Sequence, residues 1–385
     1  MSVTDIVTNL RTVKPRKAVL EMPEYHPPLA GRTALRLDFN ENIFGPSPRV
    51  MERLSAVTAE GLTKYPERDP VEQIVAKHFG LQKPGQVVLT NGVDEAIHLM
   101  CCAFLDSEDE ALIATPSFFM YDVSVQMMTP HLRKVQADAT LEFPFERFIA
   151  AITDRTKLII VASPNNPTGA VVTREHLLAI AAAAPQAVLM VDEAYYHFDG
   201  ASVIDNLATV PNLVVARTFS KAYGLANLRI GMLVGNAELL KYVRKVSSPY
   251  NVNGMALDCL PVALADEEYV AWYSDQVRKG RERMMNGLRE IGVPFFPSHA
   301  NFVLMKIGPK HKELVQAMRA NGVLLRDRST DPGCDGFVRI TVGLEEHVTR
   351  GLAALKVCLN EIGWTAGEAS KPVDHGIADG EREFE

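Results

Sequence analysis

Between about residue 85 and residue 235 the chain repeats one pattern. A short apolar run ends in polar or glycine-containing residues, and a stretch of helical periodicity follows. The runs are Gln86–Thr90, Ala111–Ala114, Leu158–Val161, Val188–Val191, Leu213–Ala216 and Gly231–Gly235. Several are continuously apolar rather than alternating, which suits strands buried on both faces. Strands joined through helices have to cross over and lie parallel. The expected fold class is therefore α/β, a large domain with a mostly parallel sheet flanked by helices. In such sheets ligands bind beyond the carboxyl ends of the strands, so the residues closing each run are the first candidates for a site.

Two of those closures carry chemistry. Leu213–Ala216 leads into Arg217-Thr218-Phe219-Ser220-Lys221, with Arg229 further on. A lysine flanked by small hydroxyls and followed by an arginine suits a covalently held, phosphorylated aldehyde cofactor. Lys221 would form the bond, and Thr218, Ser220 and Arg229 would converge on the phosphate. A strand followed by an exposed basic loop would read the same way. Val188–Val191 ends in Asp192-Glu193-Ala194-Tyr195. A pyridoxal ring draws in electrons only while its nitrogen is protonated, and a carboxylate such as Asp192 keeps it so. An aspartate capping a helix after a strand is the competing reading.

A third closure, Ser163-Pro164-Asn165-Asn166-Pro167-Thr168-Gly169, completes an ordered set. Together the three stretches resemble the signatures of fold-type I pyridoxal-phosphate aminotransferases of class I/II. Asp38–Asn42, Lys64–Pro66, Asn91–Glu95, Leu325–Asp327 and Val338–Gly343 are similar to the histidinol-phosphate aminotransferase branch in particular. The likeness runs from about Tyr25 to about Gly343. It implies an aspartate aminotransferase-like large domain and a smaller α+β domain. It also implies pyridoxal 5'-phosphate as cofactor, and transfer of an amino group from histidinol phosphate to 2-oxoglutarate in histidine biosynthesis. An aromatic or other amino-acid aminotransferase, a phospho-amino-acid decarboxylase and a catalytically silent cofactor-binding protein are the alternatives.

The resemblance also assigns roles. Lys221 is the base and acid at the substrate carbon, and Asp192 holds the ring nitrogen. Asn166 and Tyr195 donate to the phenolic oxygen of the cofactor, which favours its ionised form. Phe118 takes the place of an aromatic ring stacked on the pyridine, where close relatives often carry tyrosine. Tyr65 would reach across a homodimer interface to the partner's cofactor phosphate. Tyr25, Asn166, Arg326 and Arg339 would meet the substrate, with the two arginines on its anionic group. Without the resemblance, Tyr25 and Tyr65 read as loop or surface aromatics and Phe118 as core. Arg328 reads foremost as a surface cation, with a third cation for the anionic group as the alternative. Asn91-Gly92-Val93-Asp94 has its own physical reading: a glycine turn opening a helix presents the amides of Val93 and Asp94 to a phosphate.

The remaining sequence sets limits. The 385 residues, 47% hydrophobic and 23% charged, suit a soluble globular chain of two or three domains. A net charge of −7 without basic tracts argues against nucleic acid as partner. No apolar run approaches the roughly 20 residues of a bilayer span. Five cysteines without paired spacing and ten scattered histidines suggest a reducing, cytoplasmic setting and no structural metal. The expected domains are an N-terminal arm over 1–30, a large cofactor-binding domain over 49–267, and a small domain from 31–48 with 268–363. Within these, Leu35–Phe39 reads as a strand and 48–59 as one helix. An acidic tail over 364–385 is expected to be disordered.

Overall fold

The computed structural model describes residues 14–22, 24 and 32–373. Its strands are β1 (Leu35–Arg36), β2 (Val87–Thr90), β3 (Glu110–Thr115), β4 (Leu132–Gln136), β5 (Thr156–Ala162), β6 (Val188–Asp192) and β7 (Leu213–Thr218). They continue as β8 (Gly231–Gly235), β9 (Phe295–Phe296), β10 (Phe302–Lys306), β11 (Val323–Leu324), β12 (Arg326–Asp327) and β13 (Phe337–Thr341).

A seven-stranded sheet runs in the order β2-β8-β7-β6-β5-β3-β4. Along β6, Leu189 and Val191 enter one apolar core while Val188 and Met190 enter the other. Both faces are covered, which is why these runs show no polar alternation. The helix Gly92–Phe104 covers one face with Val93, Ala96, Ile97, Met100 and Cys101. Strands β3 to β7 are parallel, whereas β8 runs antiparallel to both β7 and β2. No α-helix joins β7 to β8, only the 3-10 turn Ala226–Leu228. The chain turns back through Phe219–Ile230 instead, so the expected parallel crossover is absent there. Edge strand β4, exposed at Arg133, Lys134 and Gln136, was not legible as a strand.

The second region is α+β. Strands β12-β13-β10-β9 form an antiparallel sheet, against which the helix His311–Ala320 packs. The 24-residue helix Glu267–Glu290 leads into this region and packs on the helix Glu345–Glu361. β1 pairs in parallel with β11, so a segment from early in the chain is joined to this later part.

Three local expectations are corrected. The strand at Leu35 stops at Arg36, because Asp38 is drawn to Arg32 at 3.1 Å and Asn40 adopts φ 55°. The single helix over 48–59 is two helices, Pro48–Ser55 and Ala59–Thr63. The second is started by Thr58, whose hydroxyl accepts the Gly61 N–H. Residues 364–373 are ordered: the Trp364 indole donates to the Ile307 carbonyl at 2.9 Å, and Ala369 is buried in the 3-10 turn Ala366–Ser370. The rest of the expected tail, 374–385, lies outside the described residues, as does most of the N-terminal arm.

Behind the carboxyl ends of β6 and β7 sits a buried ion pair. Arg217 donates through Nε and Nη2 to Oε2 of Glu193 at 2.9 and 2.7 Å, and its guanidinium lies 3.5 Å from the Tyr196 ring centre. Oε1 of Glu193 accepts the Val203 N–H at 2.8 Å. Both charges are desolvated and satisfied, so removing one strands the other. Glu193→Ala is expected to destabilise the chain by about 3–5 kcal/mol, read by urea unfolding. A loss below about 1 kcal/mol would mean that Arg217 finds water or another partner.

Candidate functional site

The carboxyl ends of β5, β6 and β7 place three predicted residues side by side. Asp192 closes β6, Thr218 closes β7, and Asn166 lies in the turn after β5. Lys221 follows β7, half-buried, and its Nζ donates to the Phe39 carbonyl at 3.1 Å. The same Nζ lies 5.7 Å from the ring centre of Tyr195.

Asp192 is 5% exposed. Burial pushes its carboxyl up to about 6, opposed by hydrogen bonds from the Tyr121 hydroxyl to Oδ2 at 2.7 Å and from the Ala194 N–H to Oδ1 at 2.9 Å. Neither partner is a cation. A buried carboxylate so placed fits a protonated ring nitrogen. Tyr121, three positions after Phe118, is a site residue to which the sequence alone assigns no role. The one available signal was its spacing from Phe118, which sets the two rings edge to face at 5.7 Å on one helical turn. Phe118 itself is half-buried and packs against the core cluster that includes Val93, Ala96 and Ile97.

A seat for an anion lies at the β2 side of the sheet. Register places Thr90 beside Gly231 and Gly231 beside Thr218, so the turn into helix Gly92–Phe104 and the Thr218–Lys221 loop flank one glycine. A Cβ at position 231 would stand 2.9 Å from the Val93 nitrogen. Gly92 has φ +75°, and a Cβ there would meet Nη2 of Arg229 at 2.7 Å. Arg229, itself at φ 51°, pairs with Asp94 at 3.0 Å. The Thr218 hydroxyl accepts the Ser220 N–H at 3.0 Å, and both residues are buried. Helix amides, two hydroxyls and a guanidinium at one place fit a phosphate.

The other side of the site is cationic. Arg326 on β12 and Arg339 on β13 are direct cross-strand partners. Both are buried, at 9% and 4% exposure. Opposed like charges on one face repel, and the buried carboxylate of Asp331 attracts both guanidiniums. Burial and the neighbouring Arg328 and Arg326 pull Arg339 down to about 9. Its Nη2 donates to the Asp38 carbonyl at 2.8 Å and its Nη1 to Oδ1 of Asn166. Its Nε is buried without a partner. With Oδ1 of Asn166 engaged, the amide Nδ2 is left to donate elsewhere. Arg326 lies over the Phe39 ring at 5.4 Å. Arg328 is not the expected surface cation: it is largely buried and paired with Asp331.

One described residue is not brought in by the single chain. Tyr65 is 77% exposed and stacks on Tyr250 with ring centres 4.4 Å apart. Tyr25 lies outside the described residues.

The family model for aminotransferase class I and II matches residues 32–355. Histidinol-phosphate aminotransferase 2 of Hydrogenovibrio crunogenus is 33% identical, over 92% of this chain and 95% of its own. The histidinol-phosphate aminotransferase of Brevibacillus brevis is 32% identical, over 89% of this chain and 98% of its own. Among solved structures, the Sinorhizobium meliloti histidinol-phosphate aminotransferase in complex with pyridoxal-5'-phosphate shares the fold. Its TM-score is 0.81 at 24% identity, over 91% of this chain and all of that one (100%). The chain belongs to the aminotransferase class I and II family, and it is a pyridoxal-phosphate-dependent enzyme that moves an amino group from an amine donor to a keto acid.

Proposed function

We propose that this enzyme transfers the amino group of histidinol phosphate to 2-oxoglutarate, giving imidazole acetol phosphate and glutamate. The observation that carries the reading is the buried, facing pair Arg326 and Arg339. Histidinol phosphate has no carboxylate, so its phosphate takes the place that a carboxylate holds in amino-acid donors. A dianion satisfies two guanidiniums better than a monoanion does. The names of the most similar relatives support the same donor.

When bound, pyridoxal phosphate supplies an aldehyde for the amino group and a ring that draws in the electrons left at the substrate Cα. Lys221 would hold it through Nζ, and the same amine would serve as base and then acid for the substrate Cα proton. Asp192, its carboxylate fixed by Tyr121, would favour the protonated ring nitrogen. Tyr195 and Asn166 would donate to the phenolic oxygen, and Phe118 would stack on the ring. Thr218, Ser220, Arg229 and the amides of Val93 and Asp94 would hold the phosphate.

Tyr65 completes the seat from a second copy. Its exposed ring, stacked on exposed Tyr250 and near exposed Leu62 in sequence, suits an interface. Mixing Lys221→Ala with Tyr65→Ala subunits is expected to raise activity above either parent, since one site of each mixed dimer carries neither lesion. No recovery in mixtures shown to exchange subunits would remove Tyr65 from the partner's site. All five cysteines are unpaired, which suits the cytoplasm. Among the described residues no helix is long and apolar enough to cross a membrane.

Donor identity is tested by a screen of histidinol phosphate against aromatic amino acids, with carbon dioxide measured to detect decarboxylation. Arg326→Ala is expected to lower kcat/KM for histidinol phosphate by about two to three powers of ten, the scale of removing one partner from a desolvated charge pair. Side activity on aromatic amino acids should fall much less. A parent enzyme that ignores histidinol phosphate and uses a free amino acid well would end the substrate proposal.

A further inference from the structure

Tyr195 is held from behind by a residue outside the sheet motifs. The Asn40 side chain donates from Nδ2 to the Tyr195 phenol oxygen at 3.0 Å, across 155 positions of sequence. Asn40 is 1% exposed and Tyr195 7%. The orientation of the Asn40 amide is set by Thr341 on β13. The Thr341 hydroxyl donates to Oδ1 of Asn40 at 3.2 Å and accepts the Asn40 backbone N–H at 3.0 Å. Oδ1 therefore faces Thr341 and Nδ2 faces the phenol. The Asn40 carbonyl is held in turn by Nδ2 of Asn301 at 3.0 Å. The backbone sits at φ 55°, a region that asparagine tolerates better than most residues.

An amide nitrogen has no lone pair to offer. The phenol's own proton cannot point back at Nδ2 and must be given elsewhere. Lys221 Nζ stands over the same ring, 5.7 Å from its centre. The residues flanking Asn40 hold the site as well: the carbonyls of Asp38 and Phe39 accept from Arg339 and Lys221.

We propose that Asn40 is a positioning residue, oriented by Thr341, that turns the Tyr195 hydroxyl proton toward the phenolic oxygen of the lysine-bound cofactor and strengthens that donation. Occupying the phenol oxygen as an acceptor polarises its O–H bond, as successive hydrogen bonds in a chain do. The inference rests on the family's cofactor and does not depend on which amine is the substrate. It ties the four-stranded sheet, through Thr341, to the chemistry of the seven-stranded one.

The test reads the absorbance of the resting holoenzyme against pH, without substrate. Donation to the cofactor's phenolic oxygen stabilises the oxygen anion and lowers the pH at which the lysine–cofactor link loses its proton. Weaker donation raises that midpoint. Asn40→Gly removes the side chain while accepting the left-handed backbone, and should raise the midpoint by about 0.5 to 1 pH unit, the scale of one neutral hydrogen bond. Asn40→Asp offers an acceptor where the donor stood and should shift it further in the same direction. Thr341→Val, which loses only the orienting hydroxyl, should shift it less.

The titratable groups that face Tyr195 are Lys221, Arg339 and Tyr121, and none is altered by these changes. The decisive comparison is in a Tyr195→Phe background, where Asn40→Gly should add no further shift if it acts through the phenol. A shift that persists undiminished there overturns the proposal, as does an unmoved midpoint in Asn40→Gly with cofactor bound. If Asn40→Gly fails to fold, Thr341→Val with and without Tyr195→Phe makes the same comparison with the same outcomes.

Discussion

Lys221→Ala is expected to lower turnover by about four powers of ten or more and to leave the fold standing. Two contributions are lost together. A positioned general acid–base group is worth about 10²- to 10⁴-fold, and covalent attachment of the cofactor goes with the same amine. The structural cost is small, because Nζ makes a single 3.1 Å hydrogen bond to the Phe39 carbonyl and the side chain is only half-buried. Stability should stay within about 1 kcal/mol of the parent, as for most substitutions away from a core. In the parent, borohydride should bleach the visible band and leave the label on the peptide containing Lys221. In Lys221→Ala the label should be absent while cofactor still binds, held by the phosphate seat and Asp192. A variant that turned over external amines at the parent rate would remove Lys221 from the mechanism altogether.

The parts of this molecule legible in the sequence are those where one element decides its own environment. Strands β5, β6 and β7 are apolar on both faces, so four or five residues suffice to see them. Asp192, Thr218 and Asn166 sit at or just after strand ends, where the sheet delivers them without further information. The direction of β8 was hidden because Gly231–Gly235 says nothing about what it pairs with, and only the missing helix before it distinguishes a return from a crossover. Contacts that join distant segments were hidden for a similar reason. Tyr121 reaches Asp192 across 71 positions and Asn40 reaches Tyr195 across 155, and neither spacing leaves a local trace. Arg326 and Arg339 were each legible, but their facing one another is a property of register between β12 and β13. The fate of Arg328 followed from Asp331, three residues away, a pairing that a turn can make and a sequence pattern leaves open.

Asp192→Asn should separate what this carboxylate does for catalysis from what it costs the fold. The variant is expected to lose about four powers of ten in kcat, because a neutral amide no longer favours the cationic ring nitrogen, at the upper end of the effect of breaking a desolvated charge contact. The cofactor-free protein should respond in the opposite sense. In the folded chain burial raises the carboxyl from 3.8 to about 6. Between those values the folded state holds a proton that the unfolded chain has released. The associated stability is therefore fully present below about pH 3.8 and is lost as pH rises through about 6. At 1.36 kcal/mol per unit the loss is about 3 kcal/mol. Asparagine does not titrate, so its contribution is flat over this range. It accepts from only one of Tyr121 and Ala194, which lowers stability by a constant amount and leaves the pH dependence untouched. Denaturant unfolding of cofactor-free parent and variant, at pH 4.5, 6 and 7.5, should show their difference moving in the variant's favour by most of that ~3 kcal/mol. Adding cofactor should restore the parent at pH 7.5, by placing a cation opposite the charge, and should help Asp192→Asn less. A stability difference that stays constant with pH would mean that the carboxylate is already neutralised by a partner in the empty protein. The role of Asp192 as the ring's counter-charge would then fall.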